Sequence, residues 1–150
     1  MSKLFIYYSL TGNGDYVSLL FRDKGYDVKK VETVIAYPKK FFPLMLKGGF
    51  RAMANKCDKL KDYEINLDLY NDIVIATPIW ASKVTPAINE ILKKFDFSNK
   101  NLSFIFYSGS GNSMKAEKKI KKKFPLSKTF SLKMPTENKD EAKKIIDENF

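Results

Sequence analysis

Apolar runs bounded by turn-forming residues occur at 4–8, 73–76, 102–107 and 129–134, and a weaker β-like stretch spans 26–31. The first three lack polar alternation, as expected of strands buried on both faces in a parallel sheet covered by helices. Between the runs the spacing turns helical. Thr85 and Pro86 lead into Ile88, Ile91, Leu92 and Phe95, an i, i+3, i+4, i+7 stripe with proline at the first helical position. Val17, Leu20 and Phe21 share a face after the first run, and Ala116, Ile120 and Phe124 share another among lysines. Near the C-terminus, Asn138 is expected to cap a helix and Glu141 to close the capping box, ahead of Ala142, Ile145 and Ile146.

Strand and helix thus alternate five times, a pattern that specifies an α/β domain with a parallel sheet and right-handed crossovers. A chain of 150 residues, 44% apolar, is expected to form one domain spanning 1–150. The stretch 37–60 fits least well, because Phe41, Phe42, Leu46 and Phe50 are interrupted by Pro43, Gly48 and Gly49. It is expected to hold the second crossover helix, packed in the core. The alternative is that the apolar-basic stretch Lys39 to Arg51 touches a membrane or a partner protein, but its prolines and glycines argue against a continuous amphipathic helix on the surface.

Composition then narrows the chemistry. A single cysteine, Cys57, and no histidine exclude an intramolecular disulfide, cysteine-held iron–sulfur clusters, zinc sites of His and Cys, and nucleophile–His pairs. Any redox chemistry must come from an organic cofactor. Cys57 has no companion to activate it and reads as a buried or incidental thiol. No apolar run is long enough to span a bilayer and the first residues lack a signal-peptide pattern, so a cytoplasmic protein with no membrane span is expected.

The net charge of +10 admits either an acidic partner or a lysine-rich habit, since only Arg22 and Arg51 of the 27 basic residues are arginine. Lys118, Lys119, Lys121, Lys122 and Lys123 read as the solvated face of a helix rather than a nucleic-acid footprint.

In a parallel α/β sheet, ligands bind at the carboxyl ends of the strands, so the residues after each run matter most. Ser9, Leu10, Thr11, Gly12, Asn13 and Gly14 follow the first run and open a helix. Two hydroxyls, an amide, two glycines and the N–H groups of a helix amino end can wrap a phosphate without lysine. An ordinary glycine turn capped by Asn13 is the competing reading.

Thr77, Pro78, Ile79, Trp80, Ala81 and Ser82 follow the run 73–76 and include the only tryptophan. Its indole either covers a planar ligand or packs over the edge of the core. Ser108, Gly109, Ser110, Gly111 and Asn112 follow the run 102–107, where small residues either let backbone approach a ligand or make a flexible connection. The glycine motifs for nucleoside triphosphates and dinucleotides are absent.

Taken together, these residues resemble the flavodoxin family, in its short single-domain branch, over essentially the whole chain. The run 9–14 is similar to the family's Ser/Thr-x-Thr-Gly-Asn-x phosphate loop, the run 77–80 to its Thr-Pro-x-aromatic flavin loop, and the run 108–111 to a glycine-rich third loop. The resemblance implies a flavodoxin-like three-layer sandwich, with a five-stranded parallel sheet of order 2-1-3-4-5 and helices on both faces. It further implies an electron-transfer protein holding FMN noncovalently across strands one, three and four. Ser9, Thr11, Asn13 and Gly14 would hold the phosphate, Trp80 would cover one ring face, and the backbones of 77–81 and 109–111 would border the ring. No catalytic side chain and no metal are implied.

Two departures from the family carry consequences. Many flavodoxins are acidic, whereas this chain is basic, which implies a less negative lower potential and acidic redox partners steered by charge. Many also place a second aromatic residue in the third loop, whereas this one has only Ser, Gly and Asn. An open ring face suits a nicotinamide or a quinone, so an FMN-dependent NAD(P)H or quinone reductase is the alternative. A flavin-free basic binding module is the alternative of another class.

Overall fold

Each apolar run becomes a strand, and the five long strands pair side by side in parallel. The computed structural model describes residues 2–150. Strand β1 (Ser2–Tyr7) leads into α1 (Asn13–Asp23) and β2 (Asp27–Lys30). A helical run follows, made of α2 (Phe41–Leu44), a π-helical turn (Met45–Gly49) and α3 (Phe50–Met53). Then come β3 (Tyr70–Trp80), the short β4 (Lys83–Val84) and α4 (Pro86–Lys94). Strand β5 (Asn101–Ser108), α5 (Met114–Lys123), β6 (Lys128–Lys133) and α6 (Lys139–Asn149) complete the chain.

The sheet order is β2-β1-β3-β5-β6, with β4 turned back antiparallel on the end of β3. Counted over the parallel strands alone, this is the expected 2-1-3-4-5 order.

Because side chains alternate across a strand, each long strand feeds two cores. Leu4, Ile6, Ile73, Ile75, Phe104 and Phe106 pack on one face against Ile88 and Ile91 of α4 and Ile120 of α5. Phe5, Val74, Ile105 and Tyr107 pack on the other against Val17 and Phe21 of α1 and Ile146 of α6. The Phe5 and Phe21 rings stack at 4.3 Å, fixing α1 over β1. Among the described residues no helix is long and apolar enough to cross a membrane.

Three expectations are corrected. The second candidate segment is not a loop from Thr77 onward, because β3 continues to Trp80 and closes a two-residue hairpin onto β4. The capping box at Asn138 does not form, since its side-chain amide donates instead to the carbonyls of Lys133 and Met134. The helical run 41–53 is not a core crossover, because its large apolar side chains face outward. Phe41, Phe42, Leu46 and Phe50 are 70%, 78%, 67% and 63% exposed.

Candidate site at the carboxyl edge of the sheet

Strand register brings the three predicted segments to one edge. Tyr7 pairs with Ala76, Pro78 with Tyr107, and Ser108 with Lys133, so the carboxyl ends of β1, β3, β5 and β6 gather at one edge, with β3 running on to Trp80 beyond the end of β1. The chain leaves β1 toward one side of the sheet and β3 toward the other, which opens a crevice between their ends.

The first segment turns at Gly12, whose φ of +98° is left-handed and easily adopted only without a Cβ. Ser9 Oγ accepts the Gly14 N–H at 3.1 Å, closing the turn. Among the described residues, no hydrogen bond takes up the N–H groups of Leu10, Thr11, Gly12 or Asn13. Four successive free donors at the start of α1 make an electropositive rim suited to an anion. Asn13 is otherwise engaged: its Oδ1 accepts the Thr136 N–H at 3.1 Å and hydroxyl at 2.9 Å, tying this segment to the connection between β6 and α6.

Gly14 is required by packing. A Cβ there would fall on the Tyr107 hydroxyl and 2.9 Å from the Ser9 Cβ. That hydroxyl donates to the Tyr8 carbonyl, and burial raises it well above the ordinary tyrosine range, so it stays a donor.

Sequence reasoning missed the acid beside this rim. Asp15, in the first turn of α1, accepts from the Tyr7 hydroxyl at 2.9 Å and from Lys30 at 2.7 Å. Burial works to raise the Asp15 carboxyl, but hydrogen bonds from Lys30, Tyr7 and Ser9 outweigh it and hold it below the usual range. The lysine therefore offsets a carboxylate charge that would otherwise repel an anion. Its only sequence signal was an acid in the first turn of α1.

The second segment is braced from within. Thr77 is fully buried, with its Oγ1 3.0 Å from that of Thr85. Ala81 and Ser82 form the hairpin turn with φ of +49° and +63°, as a two-residue turn matching strand twist requires. Pro78, Ile79 and Ala81 are partly exposed at the rim. Trp80 is 7% exposed, with its indole lying edge-on to Tyr8 at 5.7 Å and to Tyr37 at 4.9 Å. The π-helical turn covers it: a Cβ on Gly48 would lie 2.9 Å from two atoms of the indole. Trp80 here fills the floor of the edge, and no free stacking face is offered.

The third segment stabilises its own backbone. Ser108 Oγ accepts the Gly111 N–H at 3.0 Å, and Ser110 Oγ accepts the Asn112 N–H at 3.1 Å. Gly109 is exposed, with nothing within 4 Å of where a Cβ would lie. Beside it, Ser82, Ser110, Asn112 and Met114 line a depression of about 360 Å³. A similar depression of about 380 Å³ lies at the opposite edge, around Tyr26, Leu102 and Phe150, and contains none of the predicted site residues.

By sequence, no family model matches the chain and no curated protein matches it. By structure, it is similar to a candidate flavoprotein of Bacteroides eggerthii, with a TM-score of 0.74 at 18% identity over 90% of this chain and 92% of that one. A second candidate flavoprotein, from Bacteroides uniformis, gives 0.72 at 22% identity, covering 85% of each chain. A flavoprotein of Lactobacillus acidophilus in complex with FMN gives 0.71 at 16% identity, over 85% of this chain and 89% of that one. At these identities the likeness is one of fold, and the fold is a flavodoxin-like α/β sandwich.

Proposed function

We propose that the carboxyl edge binds FMN noncovalently and that the protein is a flavodoxin-like electron carrier. The observation that carries this reading is the run of four free N–H groups from Leu10 to Asn13, set in the crevice between the β1 and β3 ends. A phosphate seated at this rim would accept from these N–H groups, and the exposed Thr11 hydroxyl adds a further donor.

FMN supplies the one- and two-electron chemistry when bound; the chain's part is to bind, orient and tune. Ser9 and Gly14 hold the turn closed. Asn13 contributes its N–H while its side chain anchors the segment to Thr136. Thr77 braces the hairpin so that Pro78, Ile79 and Ala81 border the ring on one side, and Ser108, Gly109, Ser110 and Gly111 border it on the other. Trp80 supports this edge from beneath. The net charge of +10 favours acidic redox partners, whose association weakens with salt.

The test is titration of the purified protein with FMN and, separately, with riboflavin. Stoichiometric FMN binding with far weaker riboflavin binding is expected. A colourless protein that also fails to take up added FMN would overturn the proposal and leave a flavin-free binding module.

A specific observation favours a second reading. Trp80 is buried and the third segment has no aromatic residue, so neither of these two segments offers an aromatic side chain to cover a ring bound at this edge. An uncovered ring accepts a second planar molecule, as an NAD(P)H or quinone reductase requires. Steady-state assays with NADH, NADPH and quinones separate the two, and rapid turnover would replace the carrier with the reductase.

A further inference from the structure

Beyond the cofactor edge, the helical run 41–53 has an unusual distribution of side chains. Its inner face is small and buried: Gly48, Gly49 and Ala52 let the backbone lie directly on Trp80 and Ala81. Its outer face carries Phe42, Leu46, Phe50 and Met53, spaced four, four and three residues apart, with Phe41 beside them. The last of these, Met53, is 57% exposed, like its neighbours far more open than a core position. A contiguous patch of large apolar groups of this kind marks an interaction site.

The exposed charge around the patch has one sign. Lys39, Lys40, Lys47 and Lys56 are exposed, whereas Arg51 turns inward and is neutralised by Asp58. Lys39 and Lys40 are exposed immediately before the two phenylalanines. The net charge of +10 extends the same field over the whole molecule.

From this combination we infer that the run 41–53 docks on the surface of an anionic lipid bilayer, its phenylalanines entering the boundary between headgroups and acyl chains. A helix lying in that interface buries one apolar face and meets anionic headgroups with its lysines. Phe41 and Phe42, their rings 5.8 Å apart and both largely exposed, follow directly on the exposed Lys39 and Lys40, so apolar and cationic groups are offered side by side, as the boundary between acyl chains and anionic headgroups receives them. Docking in this way sets the carboxyl edge next to the membrane, since Gly48 and Gly49 rest on Trp80 and Ala81. The inference does not depend on FMN.

The test is co-sedimentation of the full chain, with and without added FMN, on vesicles of phosphatidylglycerol and phosphatidylcholine in equal parts, compared with phosphatidylcholine alone. Binding to the anionic vesicles that weakens with salt and is slight on neutral ones is expected. Phe41→Ser with Phe42→Ser should weaken it by about tenfold or more. Lys39→Glu with Lys40→Glu should weaken it comparably, and all four side chains are exposed enough to leave the thermal unfolding midpoint unchanged. Leu126→Ser, which removes an apolar residue 99% exposed elsewhere, should leave binding intact. Failure to bind anionic vesicles, equal binding to neutral ones, or indifference to the phenylalanine pair would overturn the inference. So would self-association abolished by the phenylalanine pair without vesicle binding, which would assign the patch to a second copy of the chain.

Discussion

Arg51 Nη2 lies 2.5 Å from Oδ1 of Asp58, whose side chain is wholly buried, and the pair ties the end of the helical run 41–53 to the chain beneath it. Tyr37 joins them, its hydroxyl 2.5 Å from Oδ2 of Asp58, while Arg51 also donates to the Cys57 carbonyl at 3.2 Å. Arg51→Ala leaves a buried carboxylate with only the tyrosine as a side-chain partner. Removing one member of such a pair costs about 3–5 kcal/mol, because the other keeps its desolvation penalty. Urea unfolding should show that loss. A variant within experimental scatter of the parent would mean that Asp58 reaches water once the arginine is gone.

Gly14→Ala tests whether the first turn is held by packing. The new methyl meets the Tyr107 hydroxyl, which is fixed by complete burial and by its bond to Tyr8. Overpacking of this kind costs about 1–3 kcal/mol and shifts backbone. Stability and FMN affinity should therefore fall together. Gly109→Ala, where a methyl meets open space, should leave stability nearly unchanged. Equal effects of the two substitutions would remove the packing argument.

The proposed FMN binding carries a pH dependence of definite sign. Asp15 is depressed in the folded chain, so what it contributes is present above its ordinary value of 3.8 and is lost only as pH falls through the lowered value. Lys30 is raised, because hydrogen bonding to Asp15 outweighs the opposing effect of burial. Its contribution is complete below the ordinary 10.5 and is lost only as pH rises through the raised value. The chain has no histidine, the side chain whose ordinary charge change falls near neutrality. A phosphate monoester loses its second proton near about pH 6, so FMN affinity should fall by up to about tenfold per unit below that point. Riboflavin binding should stay flat, and a matching decline for riboflavin would place the titration in the protein. At neutral pH, Lys30→Ala should weaken FMN binding by exposing the Asp15 charge, and adding Asp15→Asn should restore part of it.

Much of this architecture is written in local pattern. The runs at 73–76 and 102–107 have no polar alternation because both faces of β3 and β5 are covered, and that is visible without coordinates. The run 41–53 was misread because its helix-breaking residues do not break it. Pro43 lies in the first turn, where an N–H has no helical partner to lose. Gly48 is there because the Trp80 indole occupies the space a Cβ would need. Both facts depend on neighbours distant in sequence. Asn13 and Asn138 mislead in the same way: each has a capping side chain by type, yet Thr136 takes one and the carbonyls ending β6 take the other. The Asp15–Lys30 pair joins the first turn of α1 to the end of β2 and becomes apparent only once β2 is laid beside β1.

Trp80 offers the sharpest distinction between sequence pattern and packing. A tryptophan that stacks on a cofactor should cost affinity when replaced and leave the apoprotein's stability largely intact. A tryptophan wedged between Tyr8, Tyr37 and Gly48 should do the reverse. For Trp80→Phe the geometry predicts a stability loss of about 1–3 kcal/mol, since the smaller ring leaves part of the floor unfilled. FMN affinity, compared under conditions where both proteins are folded, should change less than a few-fold. The parent's single tryptophan also reports its own surroundings, and its emission should be blue-shifted before any cofactor is added. If the apoprotein instead emits as solvent-exposed indole, and Trp80→Phe lowers affinity without lowering stability, the π-helical turn lifts away in solution. The indole would then be the ring's stacking partner rather than the floor beneath it.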